Sequence, residues 1–380
     1  MQSTTMLLTA SRIGSLGLTT IFVVSALAAE PQRRDSPKTE DGIVWHDVRN
    51  LTVEGRGWPE KDSKAPFDRL PAKAEDKVRS AVWGLSHDSA GVCVRFATDS
   101  PVIHCRWTVL KSNLALPHMP ATGVSGVDLY VNTDRGWHWL ATGRATQLTN
   151  SAALVTGLSK QRREYLLYLP LYNGVSSVEV GAAKDATLAP LPRDNKRTKP
   201  IVFWGTSITQ GGCASRPGMV HTAILGRRLN IPVINLGFSG NGKMEPEVAE
   251  LLAEIDAAVY VMDCLPNCTA AEVTERTAPL VAILRKARPS TPIVLVEDRT
   301  YANAFLIAAQ ENRNSSARAA LKAEYEKLVA AGDKNLHYLR GDTLLGADGE
   351  DTVDGSHPTD LGFVRQADAM ERILGPLVKP

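Results

Sequence analysis

Residues 201–212, IVFWGTSITQGG, run from four apolar residues through Gly205 and Thr206 into Ser207, and the stretch ends in two glycines. A short apolar run between Pro200 and Gly205 predicts a fully buried strand, because neither face of such a strand suits water. In open α/β sheets, ligands bind beyond the carboxyl ends of the strands, where the loops collect. We therefore predict that Ser207 lies at a ligand-binding edge, although a turn or helix-capping serine gives the same local pattern.

Downstream of this strand, apolar segments alternate with helical patterns. The apolar segments are PVINLG, AAVYVMD, PIVLVED and LHYLRG. The helical patterns span about residues 219–229, 245–255, 271–287, 316–331 and 359–374. Strand and helix in strict alternation predict right-handed βαβ units, and thus a three-layer α/β/α domain around a parallel sheet. We assign this domain to residues 199–380.

The N-terminal half has a different pattern of predicted secondary structure. From Ile43 to Ala183, short β-rich runs such as GVCVRFAT, VIHCRWTVL, VDLYVNT and EYLLYLPLY are separated by Gly, Pro, Asn and Asp. Runs of this length and spacing predict an antiparallel sandwich or barrel, and we favour a β-sandwich that is jelly-roll-like in outline. We assign the sandwich to residues 41–190, and we interpret the polar, proline-bounded segment 189–200 as a linker or a strap between this domain and the α/β domain.

The extreme N-terminus predicts export. Arg12 precedes an uncharged, mostly apolar stretch that ends in Ala26-Leu27-Ala28, a small-x-small pattern typical of signal peptidase sites. We expect residues 1–28 to be a cleaved signal peptide and the mature chain to be periplasmic or extracellular, without stable membrane insertion. An uncleaved membrane anchor is the alternative, and the length of the segment disfavours it, since a spanning helix needs about 20 apolar residues.

Composition argues against some partners. The 43 basic residues are scattered among 41 acidic ones, which gives a formal net charge of +2 and no basic stripe for nucleic acid. We expect no cofactor and no metal, and Cys264 and Cys268 have no His or further Cys at zinc-finger spacing. The five cysteines are too few for a disulfide scaffold: Cys93, Cys105, Cys213, Cys264 and Cys268. A Cys93–Cys105 pair, a Cys213–Cys264 pair and free thiols are all compatible with an oxidising compartment.

A base for Ser207 is available at the other end of the chain. DGSHPTDLG, residues 354–362, places Asp354 three residues before His357, just ahead of the last predicted helix. A serine nucleophile needs a base to accept its proton, and that base needs a carboxylate to fix its tautomer. One Asp-x-x-His turn supplies both groups. The alternative is a helix-capping Asp beside a surface His.

Two further loops follow predicted strands. NLGFSGNG, residues 235–242, contains three glycines, which permit a backbone N–H to face a bound oxygen. DCLPN, residues 263–267, ends in Asn267, whose side-chain amide is a donor. The alternatives are a tight strand-to-helix turn for the first loop and a helix N-cap for Asn267.

In this order, the Gly-x-Ser, Gly-rich, Asn and Asp-x-x-His motifs resemble those of the SGNH (GDSL-like) hydrolases, over about residues 199–376. The resemblance implies Ser207 as nucleophile, His357 as base and Asp354 as its orienting carboxylate. It also implies an oxyanion hole formed by the Ser207 N–H, the Gly240 N–H and the Asn267 side chain. The chain departs from the family pattern in having Gly-Thr-Ser for Gly-Asp-Ser and Leu-Pro-Asn-Cys for Gly-x-Asn-Asp.

The N-terminal half carries a second resemblance. SGVDLYV, residues 125–131, resembles the Gly-x-Asp-Leu-Tyr motif of a β-sandwich domain that precedes the hydrolase in one branch of the family. We expect Asp128 and Tyr130 of this motif to pack within their own domain. Trp137 and Trp139 share one face of a strand, and they are either core residues or aromatics that stack on sugar rings.

Together these features predict an exported serine esterase for short acyl esters, with acetyl groups on carbohydrate as the expected substrate. Export places the chain among polysaccharides. Aromatic residues supply only 6% of the chain, and the α/β half has no long apolar stretch that indicates a lipid groove. Two alternatives stay open: an acyltransferase that uses the same triad, and a non-catalytic carbohydrate-binding protein.

Overall fold

The computed structural model describes residues 36–193 and 197–378. The predicted signal peptide lies outside these ranges. Within them, no helix combines the length and the apolar character that crossing a membrane requires.

Antiparallel strands make up most of the N-terminal half. They are β1 (Lys38–Glu40), β2 (Ile43–Asp47), β3 (Thr52–Glu54), β4 (Cys93–Thr98), β5 (Ile103–Val109), β6 (Val127–Thr133), β7 (Gly136–Gly143), β8 (Thr149–Val155), β9 (Arg163–Tyr168), β10 (Val175–Ala183) and β11 (Leu188–Pro190). Two short helices interrupt them, α1 (Ser80–Ser86) and α2 (Ala121–Val124). One sheet has the order β1-β2-β10-β5-β8, and the other has the order β11-β4-β9-β6-β7 with β3 also paired to β4.

The two sheets enclose an apolar core, so the predicted β-sandwich is confirmed. Along β5, every second side chain is buried, and Ile103 and Trp107 join a cluster with Phe96 of β4 and Leu129 of β6. This is the period of two that half-buried strands require. Strand β11 occupies the start of the segment predicted as a linker, because it pairs with the sandwich strand β4.

The segment between β3 and β4 leaves the sandwich and packs on the α/β domain. Trp58 and Leu70 are buried in one of the two apolar clusters of that domain. Between them in the chain, the buried Arg69 donates hydrogen bonds to the carbonyl oxygens of Asn235 at 3.1 Å and Gly237 at 2.6 Å. Burial lowers the pKa of Arg69 to about 10. The two halves are therefore interlocked by a long excursion of the N-terminal half.

Strands and helices alternate in the C-terminal half. They are β12 (Ile201–Gly205), α3 (Ser207–Gln210), α4 (His221–Arg228), β13 (Val233–Gly237), α5 (Pro246–Glu254), β14 (Val259–Asp263), α6 (Ala270–Ala287), β15 (Ile293–Val296), α7 (Ala308–Ala330), β16 (Leu336–Leu339) and α8 (Asp360–Leu377). The strands are parallel, in the order β13-β12-β14-β15-β16. Helix α7 begins at residue 308, well before the predicted start near 316, because its first two turns are polar and carry no apolar stripe.

Strand β12 is buried on both faces. Ile201 and Phe203 join the cluster under α4 and α8, whereas Val202 and Trp204 join the cluster under α5, α6 and α7. The predicted three-layer α/β/α arrangement is therefore confirmed, and it explains why the strand has no polar face. Since the strands are parallel, the loops that follow β12, β13 and β14 meet at one edge of the sheet.

All five cysteines are buried and have free thiols, so neither of the two disulfides considered from the sequence forms. Cys105 lies in the sandwich core, whereas Cys93 packs on the outer face of the other sheet against Ala223 of α4. The Cys93–Cys105 pairing fails because β4 and β5 belong to different sheets. Burial raises the pKa of Cys93 and of Cys268 to about 12, which keeps both thiols protonated at neutral pH.

We expect five free thiols per chain when the protein is unfolded in denaturant without reductant. In the folded protein, we expect most of these thiols to react slowly, because a buried thiol with a raised pKa holds little thiolate. Titration with a chromogenic disulfide reagent measures both quantities, and a fully reduced sample is the control. A count of three or fewer in the unreduced protein would contradict the free state of the cysteines.

Candidate active site

Ser207 lies where β12 ends and the four-residue helix α3 begins. Thr206 caps this helix, since its Oγ1 accepts a hydrogen bond from the Ile208 N–H at 3.3 Å. Gly211 ends the helix in the left-handed region, with φ of 116°. The chain thus turns sharply from strand to helix, which leaves the Ser207 side chain half-buried at the carboxyl edge of the sheet.

The structure brings His357 and Asp354 to Ser207. The Ser207 Oγ lies 2.7 Å from His357 Nε2, and His357 Nδ1 lies 2.7 Å from Asp354 Oδ2. The loop that carries both residues is closed by an antiparallel bridge between Thr352 and Pro358. One short, closed loop therefore holds both groups against the serine.

Hydrogen bonds fix the charge state of Asp354. Its Oδ1 accepts from the backbone N–H groups of Ser356 at 3.0 Å and His357 at 2.8 Å. Partial burial by itself raises the pKa of Asp354, but these bonds and the imidazole outweigh it, so the pKa lies below its usual value. An ionised carboxylate only accepts hydrogen bonds, so a neutral His357 carries its proton on Nδ1 and offers the lone pair of Nε2 to Ser207.

The loop after β13 approaches the end of β12, two residues before Ser207. A Cβ on Gly242 would lie 1.9 Å from the Gly205 carbonyl oxygen, so only glycine allows this contact. Gly240 adopts a φ of 68°, in the left-handed region that favours glycine. Within the described ranges, the N–H groups of Ser207 and Gly240 donate to no other backbone or side-chain acceptor. Both donors are therefore available to a bound oxygen.

Asn267 lies at the end of a short 3-10 helix after β14. With its amide oxygen turned toward the loop after β13, it accepts hydrogen bonds from the N–H groups of Asn241 at 3.0 Å and Gly242 at 3.3 Å. This orientation leaves the NH₂ group as a donor. The alternative of a helix N-cap is wrong, because Thr269 caps α6 through a reciprocal pair of hydrogen bonds with Glu272.

A buried ion pair that the sequence analysis did not single out lies beneath these loops. Arg299 donates to both carboxylate oxygens of Asp263, each at 2.7 Å, and both side chains are fully buried. Thr209 of α3 donates to Asp263 at 2.8 Å, and Arg299 also donates to Gln366 of α8 at 2.9 Å. The signal in the sequence was a charge directly after an apolar run, in VYVMD and IVLVEDR, because a charge beside a buried strand needs a partner.

The β-sandwich half also reaches the neighbourhood of Ser207. The hydroxyl of Tyr172 donates to the Ser207 carbonyl oxygen at 3.1 Å. The centroid of the His118 ring lies 6.3 Å from that of His357. A cleft of about 360 Å³ on this side has walls from both halves of the chain, among them Lys111, Asn113, Leu116, Tyr172, Ser239 and Asn241. The surroundings of Ser207 are therefore built jointly by the sandwich and the α/β domain.

Asp128 and Tyr130 pack within the sandwich, as expected, but they also contact the α/β domain, which the expectation did not include. Asp128 Oδ2 accepts from Arg216 at 2.8 Å and from the Gly218 N–H at 2.9 Å, and the Tyr130 hydroxyl accepts from Arg216 at 2.6 Å. Trp139 donates to Asp128 at 3.0 Å and is 51% exposed, so it is not a core residue. This cluster holds the segment after α3 against the sandwich.

Comparison with protein families finds two matches. Residues 198–375 match the GDSL-like Lipase/Acylhydrolase family. Residues 43–188 match a family described as the N-terminus of "Esterase_SGNH_hydro-type". Comparison with curated protein sequences finds no significant match. The two matched regions coincide closely with the α/β half and the sandwich half.

Solved structures of other proteins share the fold. A GDSL-like lipase from Bacteroides ovatus is 35% identical, with a TM-score of 0.83, over 88% of this chain and 98% of that one. A salicylyl-acyltransferase from a tetracycline biosynthetic pathway is 21% identical, with a TM-score of 0.72, over 89% of this chain and 98% of that one. A family two carbohydrate esterase from Clostridium thermocellum, in complex with cellohexaose, is 14% identical, with a TM-score of 0.55, over 75% of this chain and 93% of that one.

Replacing Arg299 by Gln should lower the free energy of unfolding by about 3–5 kcal/mol, because the buried Asp263 carboxylate loses its charged partner. Urea unfolding measures this loss. Arg340→Gln is the matched control, since Arg340 pairs with Asp342 at the surface and its side chain is 69% exposed. We expect the control to unfold like the wild type. Equal stability of the two variants would show that the buried pair contributes nothing.

Proposed function

The chain belongs to the GDSL-like lipase/acylhydrolase family, and on this premise we propose that it is an exported serine esterase for short acyl esters, with acetyl groups on carbohydrate as the preferred substrate. The observation that carries the proposal is the continuous row of hydrogen bonds from Ser207 through His357 to Asp354. Nucleophile, base and orienting carboxylate meet at the edge of a parallel sheet, where α/β enzymes bind their substrates.

In the proposed reaction, Ser207 is the nucleophile. Its Oγ attacks the ester carbonyl carbon while His357 Nε2 takes the hydroxyl proton, and the imidazolium passes this proton to the leaving alcohol as the C–O bond breaks. Asp354 keeps the other proton on Nδ1 and stabilises the imidazolium. Water, activated by the same imidazole, then attacks the acyl-enzyme, which releases the carboxylic acid and restores the Ser207 hydroxyl.

The Ser207 N–H, the Gly240 N–H and the Asn267 amide form the proposed oxyanion hole. The two backbone donors have no acceptor among the described residues, which is the state expected of groups that await a negatively charged oxygen. The contacts of Asn267 with the loop of Gly240 support its share in the hole, because they hold its amide beside that loop. Such donors stabilise the charge that develops in the tetrahedral intermediate.

Solvent access favours hydrolysis over acyl transfer. The side chains of His357 and Asp354 are 27% and 48% exposed, so water reaches the imidazole that has to activate it. A transferase with the same residues must exclude water while its acceptor alcohol binds. The short distances within the Ser207, His357 and Asp354 group also argue against a non-catalytic binding protein.

Three features support a carbohydrate ester as substrate. Lys111, Asn113 and Ser239 in the cleft near Ser207 offer donors and acceptors for sugar hydroxyls. The Clostridium thermocellum protein of similar fold is a carbohydrate esterase. The expected signal peptide would place the mature enzyme among extracellular polysaccharides.

We expect Ser207→Ala and His357→Ala to lower kcat by about 10³-fold or more, and Asp354→Asn to lower it less, because the oriented Ser–His pair carries the proton transfer. All three variants should keep nearly the stability of the wild type, since polar loop residues contribute little to it. The measurement is hydrolysis of a graded series of p-nitrophenyl acyl esters, followed by acetate release from acetylated oligosaccharides. We expect acetyl esters to be the best substrates.

Ser356→Ala is the matched control for these variants. Its residue lies in the same loop, and its hydroxyl makes no hydrogen bond to another residue in the described part of the chain. The control should keep wild-type kcat. Retention of a large fraction of kcat by Ser207→Ala would point to a different nucleophile, and wild-type activity of Asp354→Asn would reduce Asp354 to a structural residue of the turn.

Asn267→Ala tests the oxyanion hole. Charge develops on the carbonyl oxygen only in the tetrahedral intermediate, so we expect kcat to fall by about 10²-fold with little change in KM. Thr269→Ala is the control, because it removes the cap of α6 and should cost about 1 kcal/mol of stability without affecting kcat. A fully active Asn267→Ala enzyme would remove this residue from the oxyanion hole.

A further inference from the structure

One buried side chain links the sandwich half to the loop that carries Gly240. Gln210, the last residue of α3, is fully buried, and its amide makes three hydrogen bonds. Its NH₂ group donates to Asp88 Oδ2 and to the Leu171 carbonyl oxygen, each at 3.1 Å. Its amide oxygen accepts from the Ser239 N–H at 3.0 Å. The side chain therefore joins two groups of the sandwich half to the residue directly before Gly240.

The partners of Gln210 permit only one orientation of its amide. Asp88 and Leu171 present acceptors, whereas Ser239 presents a donor. Turning the amide over would place its oxygen against two oxygens and its NH₂ group against an N–H, so all three hydrogen bonds would be lost. Asp88 is itself fully buried, and Lys111 donates to its other carboxylate oxygen. The sandwich half therefore sets the orientation in which Gln210 offers its oxygen to Ser239.

Gln210 supplies an acceptor that the loop itself lacks. Residues 237–242 contain six N–H groups; five have acceptors among the described residues, and the Gly240 N–H is the sixth. Four of the five acceptors belong to β12, to β13 or to the loop, and the fifth is Gln210. Since the peptide bond is planar, the hydrogen bond to Gln210 fixes the plane of the peptide that leads into Ser239. The next N–H along the chain is that of Gly240.

The peptide that follows Ser239 is held from its other side. The Ser239 carbonyl oxygen accepts from Asn241 Nδ2 at 2.8 Å, within the same loop. This peptide carries the Gly240 N–H, and its orientation depends on how the preceding peptide is held. Ser239 is only half-buried, so without Gln210 its N–H would bond to water and the preceding peptide would be free to turn.

We propose that Gln210 is a positioning residue of the oxyanion hole, which holds the Ser239 peptide so that the Gly240 N–H faces the ester carbonyl oxygen. Asp88 acts through Gln210, because its carboxylate fixes the orientation of the amide. The sandwich half thus contributes to transition-state stabilisation without touching the reacting atoms, since donors that are already oriented cost no reorganisation during the reaction. This inference rests on the proposed esterase function.

Gln210→Met tests the proposal, because it keeps the length of the side chain and removes the amide. We expect kcat on p-nitrophenyl acetate to fall by about tenfold or more, with KM within about twofold of the wild type, because the oxyanion donors act mainly on the transition state. Loss of a buried hydrogen-bonded amide should also lower the melting temperature. A purely structural role would lower the melting temperature and leave kcat of the folded enzyme unchanged.

Asn150→Leu is the matched control. Asn150 is a buried amide of β8, and all its hydrogen bonds are made with the backbone of residues 146–148 in the sandwich. We expect this variant to lose stability as well and to keep wild-type kcat and KM. An equal fall in kcat in the two variants would overturn the proposal, because it would reflect lost stability alone.

Methylboronic acid measures the oxyanion hole without turnover. The Ser207 Oγ adds to boron while its proton passes to His357, which gives a tetrahedral anion similar to the reaction intermediate. We expect its inhibition constant to rise by about tenfold or more in Gln210→Met and to stay within about twofold in Asn150→Leu. Amide hydrogen exchange adds a measurement that does not depend on activity. The Ser239 amide should exchange about tenfold faster or more in Gln210→Met, and at the wild-type rate in Asn150→Leu.

Asp88→Asn decides the matter if Gln210→Met fails to fold. An Asn side chain keeps one of the two carboxylate oxygens, so it cannot accept from both Lys111 and Gln210 as Asp88 does. We expect kcat to fall by about threefold or more with little change in KM, and Ser239 exchange to become faster. In the double variant with Gln210→Met, Asp88→Asn should cause no further fall in kcat, because the two residues act through one hydrogen bond.

Wild-type kcat and wild-type Ser239 exchange in the folded Gln210→Met protein, or in Asp88→Asn if only that variant folds, overturn the proposal. Failure of the esterase function itself gives a different result. Ser207→Ala would then be as active as the wild type, whereas failure of the present proposal leaves Ser207→Ala inactive and Gln210→Met fully active.

Discussion

The ion pair between Asp263 and Arg299 is the constraint on which the geometry of the candidate site depends. Moving both charges out of water costs several kcal/mol per ion. This cost is offset only if the two groups are close and their remaining hydrogen-bonding atoms also have partners. Arg299 meets both conditions with two hydrogen bonds of 2.7 Å to Asp263. Thr209 also donates to the carboxylate, and the guanidinium also donates to Gln366. Because these partners belong to different strand ends and helices, the pair is satisfied in one arrangement only. That arrangement fixes α3, at whose start Ser207 lies.

The sandwich is a structural part of the same site. Arg69 holds the carbonyl groups of Asn235 and Gly237, which lead into the loop of Gly240, while Asp128 holds the segment after α3 through Arg216. Both contacts pair a buried charge of one half with backbone or side-chain groups of the other half. Loss of the sandwich would therefore leave Arg216 without its carboxylate and the Asn235 and Gly237 carbonyl groups without the Arg69 donor, and it would loosen the loops around Ser207.

Prediction from the sequence succeeded where the signal was local. The apolar run before Gly205 and the strand-helix alternation after it identified the parallel sheet, because a strand buried on both faces consists almost entirely of apolar residues. The predicted start of α7 was wrong, because the first turns of this helix are polar and show no apolar residues at helical spacing. The role of Asp128 was predicted only in part, because its partner Arg216 is far away in the sequence and nothing in a strand's own sequence shows which other domain it contacts.

The sequence by itself determined the two fold classes, the order of the strand-end loops and the residue types that each loop offers. Those features depend on residues that are close together in the sequence, so the spacing of apolar residues and the types of turn residues predict them directly. Only the tertiary structure decided that the Ser207 and His357 side chains meet at 2.7 Å and that all five buried cysteines are free thiols. Distances between residues far apart in the chain follow from how sheets and helices pack, and packing is a property of the whole core.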